Sequence, residues 1–198
     1  STLAFQETFT SELFGFKITP YDGHKRADET LYSKAVESNA HYSGSPGLLK
    51  LSLERILPGV DRLISLDCDV LVMSDLANLW AESLRAPQFI GIVGEQSEWY
   101  RDDDDDDNDN DGGGEFRWPH IRSGFNSGVM LLDLAQMRAN GGLWETLWRK
   151  AFDDVYLERP GQELHLGDQD VFNAAIKYNP EIMHELECGW NLQDAGLK

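Results

Sequence analysis

The chain has 198 residues and a formal net charge of −18, and nothing in it marks a second domain. A surface this acidic lacks the basic footprint that phosphate backbones require, so nucleic acid is not an expected partner. No stretch approaches the ~20 apolar residues of a membrane span, and the residues from Ser1 onward show no signal-peptide pattern. We therefore expect a single soluble domain over residues 1–198 that makes no membrane contact of its own.

Apolar spacing predicts strands and helices in the first half of the chain. Residues 14–19 alternate as in a strand, and residues 47–57 have the spacing of a helix that Pro58 ends. A strand over residues 62–66 follows, then a helix around residues 76–80 and a short buried strand over residues 89–93.

The composition changes abruptly over residues 102–114, which contain eight Asp, two Asn and three Gly and no apolar residue. Such a run cannot bury enough apolar surface to order itself, so we predict a disordered surface insertion. A calcium loop is the alternative, but that site needs spaced acids, a glycine turn and a closing Glu, and a uniform Asp run lacks this register.

Strands and helices are also predicted to alternate in the second half of the chain. A buried strand is predicted over residues 129–132, and Asp133 is placed to cap a short helix over residues 134–138. Trp144, Leu147 and Trp148 recur at helical spacing, so both tryptophans are expected in the core. Asp168 can cap a last helix that Asn179 and Pro180 end. Strands and helices in alternation predict an α/β fold.

Asp67 and Asp69 follow the apolar strand directly, and two carboxylates at this spacing offer hard oxygen ligands to a divalent cation. A simple turn cap after the strand is the alternative. Two further stretches, residues 124–134 and 167–173, also place polar or small residues beside a strand or a helix start. Together the three junctions predict one site assembled from separate segments.

These junctions carry a resemblance to a known family. The motifs Leu-Asp-Cys-Asp-Val-Leu from Leu66, Asn-Ser-Gly-Val-Met-Leu-Leu from Asn126 and Asp-Gln-Asp-Val-Phe-Asn from Asp168 resemble the family 8 retaining glycosyltransferases of the GT-A fold. Within it, residues 41–44, 79–80, 95–100 and 188–193 look most like the xylosyltransferase domain of LARGE-type xylosyl- and glucuronyltransferases, with the glucoside xylosyltransferases next. The similarity runs over residues 41–193.

The family's opening strand, helix and second strand have no match before Thr19, and the family's further histidine ligand to the metal would lie beyond Lys198. The resemblance therefore implies a mixed GT-A sheet flanked by helices in an incomplete domain.

The resemblance also implies a UDP-sugar donor and a Mn²⁺ ion held by Asp67 and Asp69, which stabilises the charge that develops on departing UDP. Asp69 is the favoured direct ligand, and Asp67 binds either the metal or the ribose. Lys50 is expected either to reach a donor phosphate or to be a solvent-exposed lysine.

The remaining residues of the implied site are expected to bind the donor sugar. Asn126, Ser127 and Gly128 resemble the loop that grips its hydroxyls, with a tight turn into a strand as the alternative. Asp168 would bind sugar hydroxyls, with a helix N-cap as its alternative, and Gln169 would lie beneath the anomeric carbon. Since an amide is a poor nucleophile, a front-face reaction through an oxocarbenium-like ion pair is expected.

The predicted function is thus metal-dependent transfer of a sugar, with xylose favoured, from a UDP-sugar to a glycan. Family members are usually lumenal Golgi domains behind a membrane anchor, which implies the Golgi lumen here. A non-catalytic nucleotide-sugar-binding or scaffold domain is the main alternative. A haloacid-dehalogenase-type phosphatase, with Asp67 as the nucleophile, is the second.

Overall fold

The computed structural model describes residues 10–11, 16–17, 44–96, 124–158 and 163–193. Two short strands, β1 (Thr10–Ser11) and β2 (Phe16–Lys17), pair antiparallel, and β2 lies inside the strand predicted over residues 14–19. The insertion predicted over residues 102–114 lies outside the described residues and stays a prediction.

The main sheet has four strands: β3 (Arg62–Leu66), β4 (Ile90–Gly94), β5 (Phe125–Asp133) and β6 (Met183–Leu186). Their order across the sheet is β3-β5-β4-β6. β5 runs antiparallel to both of its neighbours, whereas β4 and β6 are parallel, so the mixed sheet is as predicted. Because β5 runs opposite to β3, the end of β3 and the beginning of β5 meet at the same edge of the sheet.

Helices flank this sheet. The helix predicted over residues 47–57 is confirmed as a helical segment of three pieces, α1 (Gly44–Gly47), a 3₁₀ turn (Leu48–Ser52) and α2 (Leu53–Ile56). The other helices are α3 (Leu76–Ala81), α4 (Leu134–Met137), α5 (Ala139–Glu158, with non-helical backbone at residues 140–142) and α6 (Asp168–Tyr178). Further 3₁₀ turns span Pro180–Ile182 and Cys188–Trp190.

Two apolar clusters lie on opposite faces of the sheet, because successive side chains of a strand point to opposite sides. On one face Met130 and Leu132 pack with residues of α5 and α6, and on the other Val129 and Leu131 pack against Leu79 of α3. Both faces of the sheet are therefore covered, as in an α/β protein. Among the described helices, none combines the length and the apolar character that crossing a bilayer requires.

The tryptophans of α5 confirm the predicted core. Trp144 is fully buried, stacks on Phe172 of α6 with ring centroids 4.9 Å apart, and meets the edge of Phe89 at 6.2 Å. Its indole Nε1 donates to the Leu51 carbonyl at 3.0 Å, which ties α5 to the 3₁₀ turn that carries Lys50. A large aromatic side chain buried in this way stabilises the fold by about 2–3 kcal/mol.

The N-cap predicted at Asp168 is wrong. Gly167 holds the N-cap position with φ 62°, a backbone conformation that favours glycine, and Asp168 is the first residue of α6. Asp170 instead accepts from the Leu166 N–H at 2.8 Å. The Asp168 carboxylate is thereby left to face β5 and Lys50.

Candidate functional site

An irregularity in the pairing of β4 and β5 shapes the edge of the sheet. Ile92 pairs with Met130, but the next residue, Val93, pairs with Asn126, so residues 127–129 of β5 have no pairing partner in β4. A bulge of this kind re-aims side chains next to a sheet edge. Asn126, Ser127 and Gly128 therefore belong to β5 and do not form the predicted loop, while their contact with the donor sugar stays a prediction.

Gly128 joins β5 to the first aspartate. Its carbonyl accepts from the Asp67 N–H at 2.9 Å, and its own N–H donates to Asn126 Oδ1 at 2.9 Å. A Cβ at this position would stand 2.9 Å from Asn126 Oδ1 and 3.5 Å from Asp67 Oδ2. The close approach of these groups therefore requires glycine.

Lys50 connects the helical segment to three other parts of the chain. Its Nζ forms an ion pair with Asp67, lies 3.5 Å from Asp168 Oδ2 and donates to the Ser127 carbonyl at 3.1 Å. Burial lowers the pKa of Lys50, but the negative charges of Asp168 and Asp67 outweigh it, so the pKa lies above its ordinary value. The ammonium group thus stays charged between two carboxylates.

Asp168 is buried, with 7% of the residue exposed. Its Oδ2 accepts from the Ser127 hydroxyl at 3.0 Å. Burial raises the pKa of Asp168, while the Lys50 charge and the Ser127 hydrogen bond act against that rise. The carboxylate is therefore paired, and its position is fixed from two sides.

Gln169 and Asn126 share a carboxylate partner. Glu95 Oε2 accepts from Gln169 Nε2 at 3.0 Å and from Asn126 Nδ2 at 3.1 Å. On the opposite side Gln169 Oε1 accepts from the Ser127 N–H at 3.1 Å, and Asn126 Oδ1 accepts from Asn191 Nδ2 at 2.8 Å. Both amides are therefore held at each end.

Asn173 fixes the start of β5 against α6. This fully buried side chain accepts from the Phe125 N–H at 2.7 Å and donates to the Phe125 carbonyl at 2.8 Å, as a neighbouring strand would. Its amide also donates to the backbone carbonyl of Gln169 at 2.9 Å. The relative position of Gln169 and β5 is set by this contact.

A cleft of about 600 Å³ opens beside the two aspartates. The cleft is lined by Asp67 and Asp69, by Asn126 and Gly128, and by residues 189–193. The remaining lining is largely apolar: Leu66, Val70, Leu71, Val72, Met73, Leu76 and Val129, with Ser74 the polar exception. Cys68, between the two aspartates, is an exposed free thiol.

Asp67 and Asp69 offer the oxygen ligands that a hard divalent cation prefers, and both reach the same cleft. Within residues 44–96, 124–158 and 163–193, no group of three His, Cys, Asp or Glu side chains is arranged to hold a metal ion. Among the residues that line the cleft, Asp67 and Asp69 are the two acids that could hold such a cation.

The structure brings most of the predicted site residues into one connected cluster: Lys50, Asp67, Asn126, Ser127, Gly128, Asp168 and Gln169. Asp69 is exposed and lines the cleft together with Asp67, Asn126 and Gly128. Glu95 and Asn191 received no role from the sequence. Their segments contributed to the family resemblance. Their hydrogen bonds to Asn126 and Gln169, however, join residues distant in sequence, which local patterns do not reveal.

The model of Glycosyl transferase family 8 matches residues 7–198 of the chain. The chain belongs to this family. It is 39% identical over 170 residues to Xylosyl- and glucuronyltransferase LARGE2s of Danio rerio, and 37% identical over 170 residues to Xylosyl- and glucuronyltransferase LARGE1 of Homo sapiens. Each alignment covers 84% of the chain and 21% of the relative, so the chain spans about a fifth of the length of these proteins.

The structure of mouse xyloside xylosyltransferase 1 in its apo form is similar to the chain, with a TM-score of 0.63 and 29% identity. The similarity covers 85% of the chain and 60% of the xylosyltransferase. The predicted GT-A fold is confirmed.

Proposed function

We propose that this chain is a metal-dependent retaining transferase that moves xylose from UDP-xylose to a glycan acceptor in the Golgi lumen. The observation that carries the proposal is the cluster itself. Residues 50, 67, 126–128 and 168–169 are far apart in the sequence, yet they form one connected group, of which Asp67, Asn126 and Gly128 line the cleft.

Asp67 and Asp69 would hold the metal, Mn²⁺ in our proposal, since both carboxylates reach the cleft. When bound, the metal supplies positive charge that stabilises the departing UDP.

Lys50 organises the carboxylates in this proposal. An ammonium group has three N–H donors, and Asp67, Asp168 and the Ser127 carbonyl account for three contacts. A direct contact with a donor phosphate, one of the two roles expected for Lys50, would require it to release one of these partners. We infer that Lys50 keeps Asp67 and Asp168 close together although both are negatively charged.

Asp168 and Gln169 would act on the donor sugar. Ser127 and Lys50 both contact Oδ2 of Asp168, and in our proposal Oδ1 accepts from a sugar hydroxyl. The Gln169 carbonyl would lie beneath the anomeric carbon and stabilise the positive charge that develops there. The bond from the anomeric carbon to UDP breaks, the acceptor oxygen bonds to the same face, and a UDP oxygen takes the acceptor's proton.

The preference for xylose is supported by the relatives. Two proteins that align with 84% of the chain are described as xylosyl- and glucuronyltransferases, and the similar structure is a xyloside xylosyltransferase. Glucuronic acid is the second donor that these names suggest, so it belongs in any donor comparison.

The test is a panel of UDP-xylose, UDP-glucuronic acid, UDP-glucose and UDP-galactose, with Mn²⁺ or with a chelator, using the full chain. We expect turnover with UDP-xylose and Mn²⁺ to exceed that of the other donors by about tenfold, and chelation to abolish it.

Asp69→Ala should lower turnover by about 100-fold while circular dichroism stays unchanged. Glu181→Ala, an exposed acid before β6, is the matched control and should retain wild-type turnover.

Wild-type turnover of Asp69→Ala would contradict the metal site. Equal rates with xylose, glucose and galactose would remove the donor assignment. Metal-dependent UDP binding without transfer of any sugar would support the non-catalytic alternative instead.

A further inference from the structure

Glu95 directly follows β4 and contacts two side chains of the proposed site. A single oxygen, Oε2, accepts from the amide nitrogens of both Gln169 and Asn126, at 3.0 and 3.1 Å. An oxygen that accepts both of these bonds requires each amide to present its NH₂ group to it.

This requirement determines how each amide is turned. With Nε2 toward Glu95, the Gln169 carbonyl oxygen lies on the Ser127 side and accepts from its backbone N–H at 3.1 Å. With Nδ2 toward Glu95, the Asn126 oxygen accepts from Gly128 N at 2.9 Å and from Asn191 Nδ2 at 2.8 Å. Reversing either amide would place NH₂ groups against N–H donors.

We propose that Glu95 is a positioning residue that holds the Gln169 and Asn126 amides in this orientation. The inference rests on the proposed function, in which the Gln169 carbonyl faces the anomeric carbon. A carbonyl oxygen has two lone pairs, and Ser127 uses one, so the second can face the positive charge of the transition state. A reversed amide would present N–H hydrogens, which carry partial positive charge, to that carbon.

The test compares Glu95→Met with Glu95→Gln in the full chain. Glutamine can place its carbonyl oxygen where Oε2 lies and accept from both amides, whereas methionine of similar length accepts only weakly. We expect Glu95→Met to lower kcat by about 30-fold with KM for the UDP-sugar changed less than about threefold, and Glu95→Gln to keep kcat within about threefold of wild type. Glu181→Met should leave kcat unchanged.

Two kinetic outcomes overturn the inference. One is wild-type kcat in Glu95→Met. The other is a loss in Glu95→Gln as large as in Glu95→Met, because the negative charge and not the amide orientation would then matter.

A second measurement does not require activity. In ¹⁵N spectra, the side-chain NH₂ signals of Gln169 and Asn126 should be protected from solvent exchange in wild type and Glu95→Gln, and should exchange at least about tenfold faster in Glu95→Met. Unchanged exchange in Glu95→Met overturns the inference. A wild-type chain that transfers no sugar contradicts the proposed function, while the exchange rates still decide the role of Glu95.

Discussion

Glu54 of α2 is a buried acid outside the proposed site. Only 2% of the residue is exposed, and its Oε2 makes no hydrogen bond within the described part of the chain. Burial raises the pKa of Glu54 to about 7, with Glu145 adding to the rise and Arg55 and Arg138 opposing it. The folded protein therefore takes up a proton here well above the pH at which an exposed glutamate would.

This predicts a pH-dependent effect of Glu54→Gln. The pKa of Glu54 is about 7 in the folded protein and about 4.3 in the unfolded chain. The stability that the protonated Glu54 contributes is therefore full below pH about 4.3 and is lost as the pH rises through about 7. Glutamine stays neutral, so the advantage of the variant over wild type should grow by about 2 kcal/mol between pH 5.5 and 8. Urea unfolding at the two pH values measures it.

Glu187→Gln, at an exposed acid, is the control for Glu54→Gln and should show no such trend. A stability difference for Glu54→Gln that is the same at both pH values would refute the prediction.

Among the elements, β5 depends most on a single small residue. The Cβ that Gly128 lacks would stand 2.9 Å from Asn126 Oδ1, closer than real Cβ contacts, and the Asn126 amide is already held by Glu95 and Asn191. Gly128→Ala should therefore lower the free energy of unfolding by about 1–3 kcal/mol and weaken UDP binding. Urea unfolding and calorimetric titration of UDP with Mn²⁺ measure the two effects.

Gly59→Ala is the matched control, because a Cβ there meets nothing within 4 Å. It should change stability by less than about 1 kcal/mol. If Gly128→Ala were as mild as Gly59→Ala, the close packing at the start of β5 would not matter for the site.

The elements also show what the sequence could predict. The strand at residues 62–66 and the Asp133 cap were predicted correctly, because apolar runs and capping residues are local signals. β5 begins at Phe125, before its predicted start. The prediction missed residues 126–128 because Asn, Ser and Gly are not typical strand residues, and the bulge that accommodates them forms only when β5 pairs with β4. The N-cap role of Asp168 was wrong because Gly167 takes that position, and the contacts that Asp168 makes instead, with Lys50 and Ser127, join residues distant in sequence.

At the scale of the whole molecule, Lys50 joins four segments through one ammonium group. Asp67, Ser127 and Asp168 come from β3's end, from β5 and from α6. Lys50→Met would leave the buried Asp168 without its cation, so the free energy of unfolding should fall by about 1–3 kcal/mol. This loss is smaller than that expected for breaking a fully buried ion pair, because the Asp67 side chain is 40% exposed and solvent screens its charge. Denaturant unfolding measures the loss.

Lys150→Met provides the comparison, because the Lys150 side chain is 71% exposed and pairs with Asp154 on the surface of α5. That variant should change stability by no more than about 0.5 kcal/mol. Equal effects of the two substitutions would mean that the Lys50 contacts add little to the fold.

The central place of β5 in the sheet has a consequence for recognition. The irregular start of β5 is held by hydrogen bonds to Asp67, Glu95 and Gln169, and groups held from several segments open less readily than a surface turn. The polar atoms around residues 126–128 are thus preorganised before any donor arrives. Little conformational entropy remains to be lost there on binding, and more of the interaction energy is retained as affinity.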